Sequence, residues 1–188
     1  MKHLIRKTLA VGMTAVIAAA AFALDVQLEY IRTALRTFTS NFFQTPGRFN
    51  LLEIEGRKVL LDYCHNVAGL ESMADFVKRM DADRTIAMIA VPGDRSNDDI
   101  TAFGRLAGQT FDEIVIREDA NPRGRARGEV AGMLLETITA QNGAKAEILV
   151  DEMEAAREAI SRAGRNDFVI LMADKPAALF EQLTGRSS

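Results

Sequence analysis

A carboxylate, a phenol, a thiol, an imidazole and a carboxamide follow one another at Asp62-Tyr63-Cys64-His65-Asn66. The apolar run before them, residues 59 to 61, is short enough to read as a buried strand. Ligands of open α/β sheets bind just outside the carboxyl ends of strands, so this cluster lies where such a fold would take a ligand. Three more polar clusters fall at loops or predicted strand ends: Pro46-Gly47-Arg48, Gly93-Asp94-Arg95, and the run from Arg117 through Asp119, Asn121 and Arg123 to Arg125. With Arg127, the last run places four guanidinium groups close together, and such groups grip carboxylate or phosphate in a bidentate fork. Successive strand ends of a parallel sheet share one rim, so the clusters are predicted to converge there. Each also has a plainer reading. Arg48 suits a solvated turn, Asp62 a helix cap, His65 and Asn66 the satisfaction of loop backbone, Cys64 a small buried filler, and the arginine-rich run a solvated loop.

The totals exclude several classes. A net charge of −3 argues against a general nucleic-acid binder, which would carry a basic excess. Cys64 is the single cysteine, so no internal disulfide forms and no Cys-x-x-Cys zinc site exists. The two histidines, His3 and His65, are too few for a multi-histidine metal site, and none is predicted. The sequence has no G-x-x-x-x-G-K-[ST], no G-x-G-x-x-G after a strand and no G-x-S-x-G, so a free-standing nucleotide hydrolase or serine hydrolase has no support.

The elements that must position these groups are legible from periodicity. Residues 8–24 and 26–38 read as two helices, with Leu28, Ile31, Leu35 and Phe38 on one face of the second and Asp25 between them as a possible cap. Residues 40–50 form a hinge-like loop. Residues 49–54 and 58–63 read as a hairpin turning at Glu55-Gly56. Strands at 85–91, 113–116, 146–150 and 168–172 then alternate with helices, the last at 176–183. This pattern predicts an α/β fold with a mainly parallel sheet, helices on both faces, a hairpin at one edge and a helical segment before it. The N-terminus has two readings. Lys2, Arg6 and Lys7 before an apolar run, with Ala21-Phe22-Ala23 after it, suit a secretory leader over residues 1–23, and hence an exported α/β protein. An Ala-rich packed helix is the rival. No second long apolar segment exists, which excludes a polytopic membrane protein.

The ordered series Pro46-Gly47-Arg48-Phe49-Asn50, Asp62-Tyr63-Cys64-His65-Asn66, Val91-Pro92-Gly93-Asp94-Arg95 and Ile116-Arg117-Glu118-Asp119 resembles the Mur ligase superfamily, and within it the C-terminal Mur-like module of the cyanophycin synthetases. The likeness runs from about residue 18 to about residue 183. It implies a Rossmann-like domain over residues 46–188, and a helical remnant of the family's central domain over residues 1–45. It also turns the N-terminal reading from a leader towards a packed helix, and so towards a cytoplasmic protein. Cys64 stands where the family has glycine or alanine, Val67 where it has proline, and Asp25 where it has glycine.

The resemblance further implies an ATP- and Mg²⁺-dependent ligase that joins an acid to an amino acid through an acyl phosphate, in this case arginine to the aspartates of an acidic polymer. Arg48 and Asp62 are then expected on the nucleotide, Arg48 at a phosphate and Asp62 at the ribose. His65 and Asn66 are expected at the reacting centre, and Arg117, Asp119, Asn121 and Arg123 at the substrate. The family's P-loop domain would have to come from elsewhere, as a partner domain or subunit. A catalytically inactive relic, or a small-anion-binding domain, is the alternative.

Overall fold

The computed structural model describes residues 18–37, 45, 47–141 and 143–185. The chain divides into two compact units, Met1–Thr39 and Ser40–Ser188. In the first, residues 18–23 are helical and a turn follows, with Asp25 at φ 59°, a left-handed conformation that glycine adopts more readily. Helix α1 then spans Leu28–Thr37. Leu28 and Leu35 on its apolar stripe are exposed, whereas Ile31 is buried. The expected helix over residues 8–17, most of the leader reading, and Phe38, Pro46 and residues 40–44 of the hinge lie outside the described residues.

The second unit is built on a sheet. Six strands are found among the described residues, in the order β1-β2-β6-β3-β4-β5. They are β1 (Asn50–Ile54), β2 (Arg57–Asp62), β3 (Thr85–Ile89), β4 (Glu113–Ile116), β5 (Lys145–Ile148) and β6 (Phe168–Met172). β1 is antiparallel to β2, and the remaining pairs are parallel. The hairpin turns at Glu55 and Gly56, both at positive φ (52° and 74°), the combination that a two-residue turn between twisted strands requires.

Between the strands run α2 (Val67–Val77), α3 (Asn97–Thr110), α4 (Glu129–Thr139), α5 (Glu152–Arg162) and α6 (Pro176–Thr184). Local chemistry starts several of them. Ser96 accepts from the Asp99 amide to cap α3, Asp151 accepts from Met153 and Glu154 to cap α5, and Pro176 opens α6 at a position where its missing N–H costs nothing. The strands alternate between two cores. Leu60, Ala87, Ile89, Ile114, Phe168 and Ile170 pack against α2, α3 and α4. Val59, Leu61, Met88, Val115, Val169 and Leu171 pack against α5 and α6. β3, β4 and β5 follow one another outward, and α5 then carries the chain back to set β6 between β2 and β3. The winding reverses there, and the loops leaving the parallel strands meet along one rim, as the fold class predicted.

Candidate functional site at the carboxyl rim of the sheet

The hinge loop reaches this rim because β1 is antiparallel to β2: Asn50, at the start of β1, is paired with Leu61, next to the end of β2. Asn50 is 1% exposed and organises the loop. Its Oδ1 accepts from the Gly47 amide at 2.6 Å and the Arg48 amide at 3.3 Å, and its Nδ2 donates to the Thr45 carbonyl at 3.0 Å. Phe49 adopts φ 56° and donates its amide to Asp62 Oδ2 at 2.8 Å, while its ring packs edge-on against Phe76. The Tyr63 amide donates to the Gly47 carbonyl at 2.9 Å. The loop therefore presents Arg48 with its guanidinium 5.5 Å from the centroid of the Tyr63 ring.

Asp62 is thus a clasp between strand and hinge; the cap of α2 that the sequence allowed it to be is Asn66 instead. Asn66 Oδ1 accepts from the Gly69 amide at 2.8 Å. Burial raises the Asp62 carboxyl above its ordinary value, opposed by the amides of Phe49 and Cys64 and by the charges of Arg48 and His65. His65 Nδ1 lies 2.9 Å from the Tyr63 carbonyl, which can only accept, so Nδ1 carries a proton and donates. The rings of Tyr63 and His65 are 4.9 Å apart. Cys64 is buried; burial and the Asp62 charge push its thiol up to about 12, so it is no thiolate at neutral pH.

The arginine-rich run separates into different jobs. Arg117 is 5% exposed and donates through Nε and Nη2 to the Met172 carbonyl at the end of β6 (3.2 and 3.0 Å). Its Nη1 meets Asp119 at 2.7 Å, and its Nε lies 3.1 Å from Glu152. Arg117 is a buried pin across the strand ends that orients Asp119. Arg125 is spent on the Gly93 and Arg95 carbonyls, Asn97 and Glu129, and Arg127 on the Asp119 carbonyl. Asn121 Oδ1 accepts from the Arg123 amide at 2.9 Å and shapes the turn in which Arg123 sits at φ 49°. Arg123 itself stays at the surface, paired with Asp94 at 3.1 Å and within 3.9 Å of Asp119. Its guanidinium holds the Asp94 carboxyl below the ordinary value.

The loops after β3 and β4 are in backbone contact at Gly93. A Cβ there would lie 2.1 Å from the Pro122 carbonyl oxygen, so the closeness that brings Asp94 to Arg123 requires glycine. Between α2 and α3 the rim opens into a cleft of about 430 Å³ lined by His65, Asn66, Val91, Arg95 and Phe103 among others. Arg95 Nε is buried without a hydrogen-bond partner. The structure therefore gathers Arg48, Asp62 and His65 around Tyr63, and pairs Arg123 with Asp94 and Asp119 on the loops after β3 and β4. It places Asn66, Arg117 and Asn121 in supporting positions. Sequence reasoning passed over Asn50, Glu118 and Tyr63 as positioning groups. Glu118 is buried and accepts from the Gly128 and Ala131 amides at the start of α4. The signal for Asn50 was its place at the end of Pro-Gly-Arg-Phe-Asn, directly before a strand. Glu118 gave none, because its partners lie 10 and 13 residues away. Among the described residues no cluster of three or more His, Cys, Asp or Glu could hold a metal ion, and no helix is long and apolar enough to cross a membrane.

Comparison with known proteins places this rim in a family. Residues 47–174 match the Mur ligase, glutamate ligase domain. The chain is 38% identical over 153 residues to the cyanophycin synthetase of Crocosphaera subtropica and 36% identical over 168 residues to that of Synechocystis sp., covering 81% and 89% of this chain. It is 31% identical over 150 residues to a UDP-N-acetylmuramoyl-L-alanyl-D-glutamate–2,6-diaminopimelate ligase of Caldanaerobacter subterraneus, of which it covers 30%. It spans 17% and 19% of the length of the two cyanophycin synthetases. In fold it is similar to a murein peptide ligase of Psychrobacter arcticus (TM-score 0.65, 18% identity, 93% of this chain and 36% of that one). It is likewise similar to the folylpolyglutamate synthase of Mycobacterium tuberculosis complexed with ADP and AMPPCP (TM-score 0.62, 20% identity, 86% and 36%). With the hinge, the Asp-Tyr-x-His-Asn strand end and the arginine loop assembled on one sheet edge, the chain belongs to the Mur ligase family as its C-terminal, glutamate ligase domain.

Proposed function

We propose that this chain forms one wall of the active site of an ATP-dependent acid–amino-acid ligase of the cyanophycin synthetase type, which adds arginine to the aspartate side chains of an acidic polymer in the cytoplasm. The other wall, carrying the P-loop, comes from a partner, either the remainder of a longer polypeptide or a separate subunit. On this reading residues 1–45 are a helical remnant of the family's central domain and residues 46–188 the C-terminal ligase domain. One observation carries the proposal: Arg48 and Asp62 at the end of β2, and Arg123 with Asp94 and Asp119 on the loops after β3 and β4, lie at the carboxyl ends of strands of one parallel sheet.

Bound ATP supplies the phosphoryl group that activates a carboxylate, and Mg²⁺ offsets phosphate charge. With no three-ligand cluster among the described residues, the ion would be held by the phosphates and by groups of the partner wall. Arg48 suits a phosphate through charge-assisted hydrogen bonds, and Asp62 suits a ribose hydroxyl. His65 lines the cleft and uses Nδ1 on the Tyr63 carbonyl, so Nε2 is the ring nitrogen that would take a proton from the incoming amine. Asn66 fixes the start of α2 and so the aim of His65. Arg123 binds the carboxylate of the amino acid, on a loop shaped by Asn121. Asp119, oriented by Arg117, faces its cationic end. Closure of the partner wall over the rim would exclude water from the activated acyl group.

The test is calorimetry of the chain with Mg-ATP and with arginine, followed by arginine-dependent ATP consumption with a P-loop domain supplied in trans. Asp62→Ala and His65→Ala are expected to abolish turnover while circular dichroism stays native. Normal turnover by either variant refutes its assigned role. No heat with either ligand, together with no turnover in trans, favours an inactive relic.

A further inference from the structure

Asp94 and Arg123 meet at the tips of two loops whose backbones are fixed. Arg125 donates to the Gly93 carbonyl at 2.8 Å and to the Arg95 carbonyl at 2.9 Å, which holds the chain on both sides of Asp94. On the facing loop Asn121 Oδ1 accepts from the Arg123 amide at 2.9 Å, in a turn where Arg123 sits at φ 49°. Between these anchored backbones the side chains stay open to solvent. The Asp94 side chain is 49% exposed and that of Arg123 34%, and their pair, Nη1 to Oδ2 at 3.1 Å, is of the kind that contributes little and opens readily. Asp119 differs. Its side chain is 10% exposed, its Oδ1 is committed to Arg117 at 2.7 Å, and its Oδ2 lies 3.9 Å from Arg123 Nη2. A guanidinium that suits a ligand carboxylate therefore rests on a carboxylate that suits a ligand cation.

We propose that the Arg123–Asp94 pair is a latch opened by exchange with a cationic amino acid: the ligand's α-carboxylate takes Arg123, its side-chain cation takes Asp94, and Asp94 is thereby a specificity-determining residue. The inference rests on the ligase reading above and adds Asp94 to Asp119 at the cationic end of the ligand. The carboxylate and the guanidinium of arginine lie at opposite ends of the molecule. Both can be met only once Arg123 leaves Asp94. Arg123 is the longer and more jointed partner, so it swings while Asp94 stays with its anchored backbone. A cationic ligand returns an ion pair for the one that it breaks. A neutral amino acid also takes Arg123, but it leaves the Asp94 charge unpaired. Discrimination by side-chain charge follows from the latch itself.

L-Arginine and L-citrulline, its uncharged analogue of like shape, are titrated separately into the full chain and followed by amide chemical shifts. The wild type is expected to bind L-arginine about fivefold more tightly, the upper end for an exposed ion pair. D94N frees Arg123 and removes the charge that citrulline would strand. It is expected to bind L-citrulline about threefold more tightly than the wild type does, and to narrow the ratio of the two affinities to about twofold or less. A D94N chain that weakens equally towards both amino acids makes Asp94 a mere support for Arg123 and overturns the latch. A wild type that takes both equally, or a ratio that D94N leaves unchanged, overturns it too, and each of these outcomes leaves the ligase reading standing. If D94N unfolds, the side-chain carboxyl ¹³C resonance of Asp94 in the wild type decides alone. Saturating L-arginine is expected to shift it, and a resonance that stays in place overturns the latch. A wild-type chain that takes up neither amino acid at millimolar concentration, alone or with a P-loop domain supplied in trans, overturns the ligase reading, and this inference with it.

Discussion

At Asp62 the needs of the fold and of a ligand site meet in one carboxylate. It clasps the hinge through the Phe49 amide, and burial raises its carboxyl above the ordinary 3.8. The folded chain therefore holds this proton more tightly than the unfolded chain does. The group's contribution to stability is greatest below 3.8 and declines as pH climbs through the raised folded value. D62N keeps an acceptor for the Phe49 amide and removes the titration. In urea unfolding from about pH 3 to about pH 7, the stability of D62N relative to wild type is expected to increase with pH and then level off. A difference that does not change with pH would show that the Asp62 carboxyl is not perturbed. Residue types announced this cluster, but not its division of labour. By sequence Asp62 was the cap candidate and Asn66 a group for loop backbone, and the backbone geometry after β2 gave the cap to Asn66 and the clasp to Asp62.

Strand ends and loops, as elements, depend on how closely two backbones approach. Gly93 permits the contact between the loops after β3 and β4, and a methyl group there meets the fixed Pro122 carbonyl, with no flexible side chain to yield. G93A is expected to cost about 1–3 kcal/mol in urea unfolding, the range for an overpacked site. It is also expected to part Asp94 from Arg123. The Asp94 carboxyl, held low by that guanidinium, should then rise towards its ordinary value when followed by carbonyl ¹³C shifts against pH. A G93A chain that is as stable as wild type, with Asp94 still low, would contradict the packing described. Element types were legible because apolar runs of four to six residues alternate with helical periodicity. β3 ends at Ile89, two residues before the sequence boundary, since Ala90 and Val91 stay buried but leave the ladder.

Across the whole second unit, stability depends on two apolar layers that share one sheet. Ile170 and Leu171 are adjacent on the central strand β6, both fully buried, and point into opposite layers. I170A and L171A are each expected to cost about 2–5 kcal/mol, with one transition and an unchanged denaturant slope, because neither layer has a sheet without the other. Two resolved transitions in either variant would show that the layers unfold separately. β6 also sets the scale of the site, since the Met172 carbonyl at its end anchors Arg117 and thereby aims Asp119.

Hydrophobic period, turn residues and motif order determined, from sequence alone, that this chain is an α/β domain with its polar clusters at strand ends, because those signals are local and each strand's burial is written in its own residues. The insertion of β6 between β2 and β3 was not written locally, because any parallel strand pair satisfies the same backbone bonds. Only the tertiary structure decided which arginines are spent inside the protein. Arg117 finds the Met172 carbonyl 55 residues away, and Arg125 finds the Gly93 carbonyl 32 residues away. A guanidinium's role follows from which acceptor folding brings within reach, and that choice is made by the sheet order.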